Sequence, residues 1–198
     1  MPTPTKITHE QVLQGAIAIV DQLGAEGLSI RELARSLGVK APSLYRYFPD
    51  KAGIELAVVD YGNRRLLECL KAAAGLARPG DEWNAVGEVY VAFARARPNL
   101  YRLMMEGRPV SPPGSESCRE LWEFLLRLAG GGADGGLGDR WRAVALWSFL
   151  HGFVSLDGAG RFGAGEPGAN GLGASGRVDA FAAGLKAIRK GLQGRLET

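Results

Sequence analysis

The chain is poor in the residues that carry covalent and metal chemistry. It has two cysteines and two histidines. Cys69 and Cys118 stand far apart with no CxxC spacing and no neighbouring histidine, which argues against a zinc site and a disulfide framework. They read as small buried hydrophobes or isolated thiols. His9 and His151 are the whole imidazole complement, so no metal cluster can be built, and neither metal nor cofactor is expected. A large excess of one sign of charge is lacking too. The formal net charge is +3, and it is not piled into one segment, so charge alone does not mark a nucleic-acid binder. The opening MPTPTKITHEQ has no apolar run of a secretory signal. The longest apolar stretch, Ala145 to Leu156, contains His151 and is too short to span a bilayer. A cytoplasmic protein without membrane contact is the expectation. Glycine-dense stretches lack a P-loop lysine and a strand–GxGxxG–helix context, and no nucleophile motif occurs, so no enzyme is expected.

What is present is helical periodicity. There is no β-pattern and no repeat, and the expected fold class is all-α. Hydrophobic residues make up 46% of the 198 residues, enough for one domain or two small helical ones sharing a core. A first helix is expected from Thr8 to Leu23, with Thr8 as N-cap and a stripe of Val12, Leu13, Ala16, Ile17, Val20 and Leu23; Gly24 and Gly27 end it. A long helix is expected from Asp50 to Ala77, then helices from Trp83 to Arg97, Asn99 to Met105, Glu116 to Leu128, Asp139 to Asp157 and Val178 to Leu196. Residues 107–114, 130–138 and 158–176 read as loops rich in glycine or proline. The domain boundary is expected across residues 66–80.

The most informative stretch is SIRELARSLGVKAPSLYRYFPDK, residues 29–51. Ser29 and Glu32 have the spacing of a capping box. Ile30, Leu33, Ala34 and Leu37 form an apolar helical face, and Gly38 stops that helix. Pro42 suits the first turn of a second short helix whose buried side is Leu44 and Phe48. Helix, tight turn and second helix make a helix-turn-helix, whose second helix can enter the DNA major groove. Five basic residues face two acidic ones between Arg31 and Lys51, a mild local excess.

The run Gly38-Val39, Pro42-Ser43-Leu44-Tyr45, Tyr47-Phe48 and Lys51 resembles the DNA-binding domain of TetR-family transcriptional regulators. The likeness covers about Thr8 to Leu66. It implies a helix-turn-helix domain over residues 6–66 and a helical ligand-binding and dimerisation domain over 80–196. It also implies that the long helix after the motif links head and body. By position in the motif, the resemblance implies DNA contacts from Ser29, Arg31, Ala41, Pro42, Ser43, Tyr45, Arg46, Tyr47 and Lys51. An arginine fork at 31 or 46 matches guanine O6 and N7. Ala41 and Pro42 suit a thymine methyl. Ser29, Ser43, Tyr45, Tyr47 and Lys51 suit phosphate. Arg35 reads as a solvated charge.

Further on, the Trp147-Ser148-Phe149-Leu150-His151-Gly152 segment resembles the Trp-His-Gly signature of one TetR subgroup, and residues 98–104 resemble a segment of the same subgroup. Trp147, Leu150, His151 and Val154 share one face of their helix, and Phe149, Phe153 and Leu156 another. A helix apolar on nearly all sides has to be covered on all of them. The last helix carries a stripe of Phe181, Leu185, Ile188 and Leu192, and the resemblance implies a dimer interface built from these two helices. Phe93, Tyr101, Met104, Met105, Trp122, Trp147 and His151 are the candidate ligand-lining residues, mostly apolar with few polar groups.

The expected function is a homodimeric repressor that binds an inverted-repeat operator in double-stranded DNA. A small apolar or aromatic effector is expected to release it. A transcriptional activator or ligand-independent regulator is the alternative. A small-molecule-binding or catalytic helical protein without DNA binding is a third reading, against which Tyr45, Arg46 and Lys51 argue.

Overall fold

The computed structural model describes residues 7–106, 115–130, 137–163 and 173–193. Helices are α1 His9–Gly27, α2 Ile30–Ser36, α3 Lys51–Leu76, α4 Glu82–Ala96, α5 Pro98–Glu106, α6 Glu116–Leu128, α7 Leu137–Gly158 and α8 Ala174–Gln193, with one 3-10 turn at Ala41–Ser43. No strand occurs among the described residues, and none of their helices is long and apolar enough to cross a membrane. The expected loop at 107–114 lies outside the described residues, as do 131–136 and 164–172 of the two glycine-rich connectors and the expected helix end at Leu196. The last helix starts earlier than periodicity suggests, at Ala174.

The helices divide into two compact units. The first comprises the chain up to Arg65 together with Arg97–Arg119, and the second Leu66–Ala96 together with Glu120–Thr198. The helix α5, Pro98–Glu106, belongs to the first unit, with the amino-terminal helices. The reason is visible at α1 and α5. Arg97 at the start of α5 grips the Asp21 carboxylate of α1 through Nε at 3.2 Å and NH2 at 2.5 Å. Its guanidinium also lies 5.4 Å from the centroid of the Tyr61 ring. Asn99 donates to the Asp21 carbonyl at 2.9 Å. The bond to Asp21, more than the opposing cost of burial, holds the Arg97 pKa above its ordinary value. Asp21→Ala should lower stability by about 1–2 kcal/mol, because it removes a partly exposed charged hydrogen-bond pair. Urea unfolding with an unchanged slope checks it.

In the first unit, α1 begins with a full capping box: the Thr8 hydroxyl accepts from the Gln11 N–H, and the Gln11 side chain accepts from the Thr8 N–H. Val12, Leu13, Ala16, Ile17, Ile19 and Val20 are buried. Gly24 breaks the helical backbone with φ 74°, so the last turn of α1 leaves the axis of the rest. Leu23, expected in the buried stripe, is 59% exposed.

In the second unit, α8 packs by Phe181 and Leu185 against its own chain. Phe181 meets Phe149 at 5.6 Å and Phe153 at 4.8 Å between ring centroids, pairs worth about 0.5–1.5 kcal/mol each beyond area burial. Asp157, at the end of α7, is clasped by Arg95 of α4 at 2.8 Å and approached by Arg177 of α8 at 3.6 Å. The stripe expected to meet a second subunit is thus used at Phe181 and Leu185 inside the protomer.

Candidate nucleic-acid interface

The reading segment is held by its apolar residues. Ser29 caps α2, its Oγ accepting from the Glu32 N–H at 3.1 Å. The reciprocal half of the expected capping box is replaced: the Glu32 carboxylate takes both Nε and NH2 of Arg35, at 3.0 and 2.5 Å. A guanidinium one turn away offers two charged donors, a stronger partner than one backbone N–H. The same bond holds the Glu32 carboxyl below its ordinary pKa and the Arg35 guanidinium above its own. Arg35 is exposed, as a solvated charge should be.

Gly38 turns the chain with φ 66°, and nothing lies within 4 Å of where its Cβ would be. Gly38→Ala should therefore cost about 1–2 kcal/mol from backbone conformation alone. Thermal or urea unfolding checks that value; a neutral result would mean the turn can be remade.

The second short helix that the sequence suggests takes 3-10 rather than α form. It is a 3-10 turn at Ala41–Ser43 followed by further turns to Tyr47. Ser43, Leu44 and Tyr47 each donate three residues back, and only Phe48 donates four back, to Leu44. The piece is confined between the Gly38 turn and Pro49, which disfavours helical backbone at Phe48. So short a piece cannot offset helix nucleation by itself, and 3-10 bonding is the usual form of such pieces. Tertiary packing holds it: Leu44 is 0% and Phe48 5% exposed.

That anchoring orients the rest. Arg31, Pro42, Tyr45 and Arg46 are exposed, and Ala41 and Ser43 are half-buried. The Arg46 guanidinium lies 4.7 Å from the centroid of the Tyr47 ring. The Tyr47 hydroxyl donates to the Ile7 carbonyl, so the platform under Arg46 is fixed to the chain just before α1. Lys51 donates from Nζ to the Ala25 carbonyl at 3.1 Å and pairs with Glu55 at 3.3 Å. An ammonium has three donors, so both bonds leave a third for a phosphate oxygen. Tyr47 and Lys51 therefore have structural work inside the head beside any work on DNA. His9 is not among the candidates from sequence, yet its ring meets Phe48 at 4.6 Å and brings the first turn of α1 beside the same segment. Nothing in local spacing signals that pairing.

Residues 12–58 match the family described as bacterial regulatory proteins, tetR family, and residues 83–172 match the tetracyclin repressor-like C-terminal domain. The chain is a member of the TetR family. It is accordingly a DNA-binding transcriptional regulator, not an enzyme. An uncharacterized HTH-type transcriptional regulator of Mycobacterium tuberculosis is 29% identical over 164 residues, 78% of this chain and 72% of that one. The HTH-type transcriptional repressor DrrR1 of Streptomyces coeruleorubidus is 33% identical over 135 residues, which are 65% of this chain but only 46% of the relative's length. In fold, the chain is similar to a protein of unknown function from Rhodococcus sp. RHA1. That structure has TM-score 0.74 and 23% identity, over 96% of this chain and 98% of that one. It is also similar to a TetR variant from Acinetobacter baumannii in complex with minocycline, with TM-score 0.65 and 20% identity, over 98% and 99% of the two chains.

The candidate ligand-lining residues of this TetR-family chain are divided between the two units. Tyr101, Met104 and Met105 belong to the first unit, where Tyr101 is buried and the Met104 side chain packs closely on Gly62. Phe93, Trp122, Trp147 and His151 belong to the second. There Trp122 and Trp147 face each other at 6.2 Å between centroids. His151 Nε2 lies 3.5 Å from Ser155 Oγ one turn on. Among the described residues no group of His, Cys, Asp and Glu could hold a metal ion.

Proposed function

We propose that this regulator is a cytoplasmic repressor that binds an inverted-repeat operator as a homodimer and leaves it on binding a small apolar or aromatic effector. The carrying observation is the exposed row Pro42, Tyr45 and Arg46 on a segment pinned from beneath by Leu44 and Phe48. Arg31 and Arg46 are its base readers. Ala41 and Pro42 supply apolar contact, and Ser29, Ser43, Tyr45, Tyr47 and Lys51 hold phosphates. Repression rather than activation is favoured by the name of the Streptomyces relative, a repressor.

Dimerisation is supported by apolar surface on α7 that its own chain leaves uncovered: Trp141 is 69% exposed, Val144 44%, Trp147 39% and Leu156 48%. Exposed apolar surface of this kind marks association sites. A two-fold dimer reads two half-sites in opposite orientation, spaced by whole helical turns of about 34–36 Å.

Effector release is supported by the Acinetobacter protein of the same fold, which holds minocycline. Trp122, Trp147 and His151 are the effector contacts favoured within the second unit, in line with the Trp-His-Gly pattern of α7; Phe93, Tyr101, Met104 and Met105 are second in order. The effector has to bind the DNA-incompetent dimer more tightly than the competent one, since equal affinity shifts nothing.

The test is binding of the purified protein to DNA from its own upstream region across a salt series, then with candidate effectors. Tight, selective binding that falls steeply with salt and is abolished by one effector supports the proposal. Operator affinity unchanged at a saturating, directly measured effector occupancy removes the release step. Reporter output that drops when the gene is deleted makes the protein an activator.

A further inference from the structure

One end of the second unit carries a solvent-open cavity of about 450 Å³ at the start of α4 and the last turns of α6 and α8. None of the candidate effector contacts lines it. Its apolar part is Trp83, Phe124 and Leu128, and its polar part Arg127, Arg189 and Glu82. A smaller cavity of about 160 Å³ shares Trp83, Leu128 and Arg189 with it and adds Arg142. The larger volume is that of a small organic ligand.

The floor is rigid. Trp83 is buried, and its indole N–H donates to the Leu128 carbonyl at 2.9 Å, which ties the start of α4 to the end of α6 and fixes the ring plane. The rim is cationic. Arg189 donates to the Gly80 carbonyl, a neutral partner that leaves the guanidinium charge in place. Arg127 stands 3.9 Å from Glu123, with both side chains exposed, a pair of little strength. Glu82 is the one acid of the lining, and its carboxylate accepts from the Gly80 N–H at 3.1 Å. Two forked cations beside a fixed aromatic floor match an aromatic ring bearing a carboxylate: the ring lies on Trp83, Phe124 and Leu128, and the carboxylate takes paired N–H donors.

We propose that this cavity is a binding site for an aromatic carboxylate, with Arg189 and Arg127 as its anion-binding groups and Trp83 as its floor. The site is separate from the proposed effector contacts and does not rest on the repressor reading, because binding is measured directly.

The experiment is calorimetric titration of the full-length protein with 2-naphthoate, beside the neutral 2-naphthamide. One saturable site per chain is expected for the acid and much weaker binding for the amide. Arg189→Gln should raise Kd roughly tenfold, as expected for losing one charged bidentate partner. Arg127→Gln, at an exposed guanidinium that bears little of the fold, should weaken binding severalfold with an unchanged melting temperature. Glu82→Gln keeps an acceptor for Gly80 and removes the rim's negative charge, so it should tighten binding of the acid; a purely packing role would not move Kd in that direction. The proposal is overturned if the acid shows no saturable binding, if the amide binds as tightly, or if neither arginine variant shifts Kd.

Discussion

Replacing Arg31 and Arg46 together by alanine should weaken operator binding by about a hundredfold or more, while Arg35→Ala should change it by only about threefold or less. Removing a guanidinium that reads a base costs about 1–3 kcal/mol, and each 1.4 kcal/mol is a factor of ten. In a dimer every substitution counts in both heads. The contrast with Arg35 is the informative part. All three arginines are exposed on the same short stretch, so net charge alone predicts equal effects. Arg35 differs because Glu32 already holds it in two hydrogen bonds, which cancels its charge locally. Arg46 is presented over Tyr47, whose hydroxyl is anchored on Ile7, so little ordering remains when DNA arrives. Fluorescence anisotropy at several salt concentrations separates the roles. Removing a base reader relaxes sequence preference, whereas removing a side chain that holds a phosphate lowers the salt slope by about one. Equal effects from Arg31, Arg35 and Arg46 would mean that general electrostatics, not this arrangement, carries recognition.

Phe48→Ala should destabilise the head by about 3–5 kcal/mol and abolish operator binding with it. Phe48 is 5% exposed, closes the reading segment through its N–H to Leu44, and supports the His9 ring. Truncation leaves a hole beneath a short segment that has no continuous helical ladder of its own. A whole domain is stable by only about 5–15 kcal/mol, so this effect is a large share. Tyr45→Ala is the counterpart. Its ring is 54% exposed, so stability should stay within about 0.5 kcal/mol while operator affinity falls. Urea unfolding followed by far-UV circular dichroism, read beside DNA binding, distinguishes the two. A Phe48→Ala protein that unfolds like the parent would show that the segment is held elsewhere.

Much of this head is legible in residue order. Periodicity marks Leu33, Ala34, Leu44 and Phe48 as buried, and all four are. Gly38 reads as a helix stop and adopts the left-handed backbone that the role requires. Ser29 and Thr8 read as caps, and both accept the bonds of caps. These features depend on residues within one or two turns of each other. The misreadings share the opposite character. Glu32 has two eligible partners within three residues, and spacing cannot rank the Arg35 guanidinium above the Ser29 N–H. The reading segment is legible as a short helix but not as a 3-10 one, because apolar spacing does not record which carbonyl each N–H reaches.

Residue order by itself determined that this protein is all-helical, that a helix-turn-helix occupies residues 29–51, and which of its side chains are core. Hydrophobic spacing and backbone preference are local properties, written in neighbours. Only the tertiary structure decided what meets across long stretches of chain. Tyr47 reaches Ile7, Lys51 reaches Ala25, and Arg97 draws α5 onto α1 through Asp21. Phe181 turns inward to Phe149 and Phe153. Each of these had several chemically adequate partners in the sequence, and the choice among them was made by which helix faces could be packed together without voids.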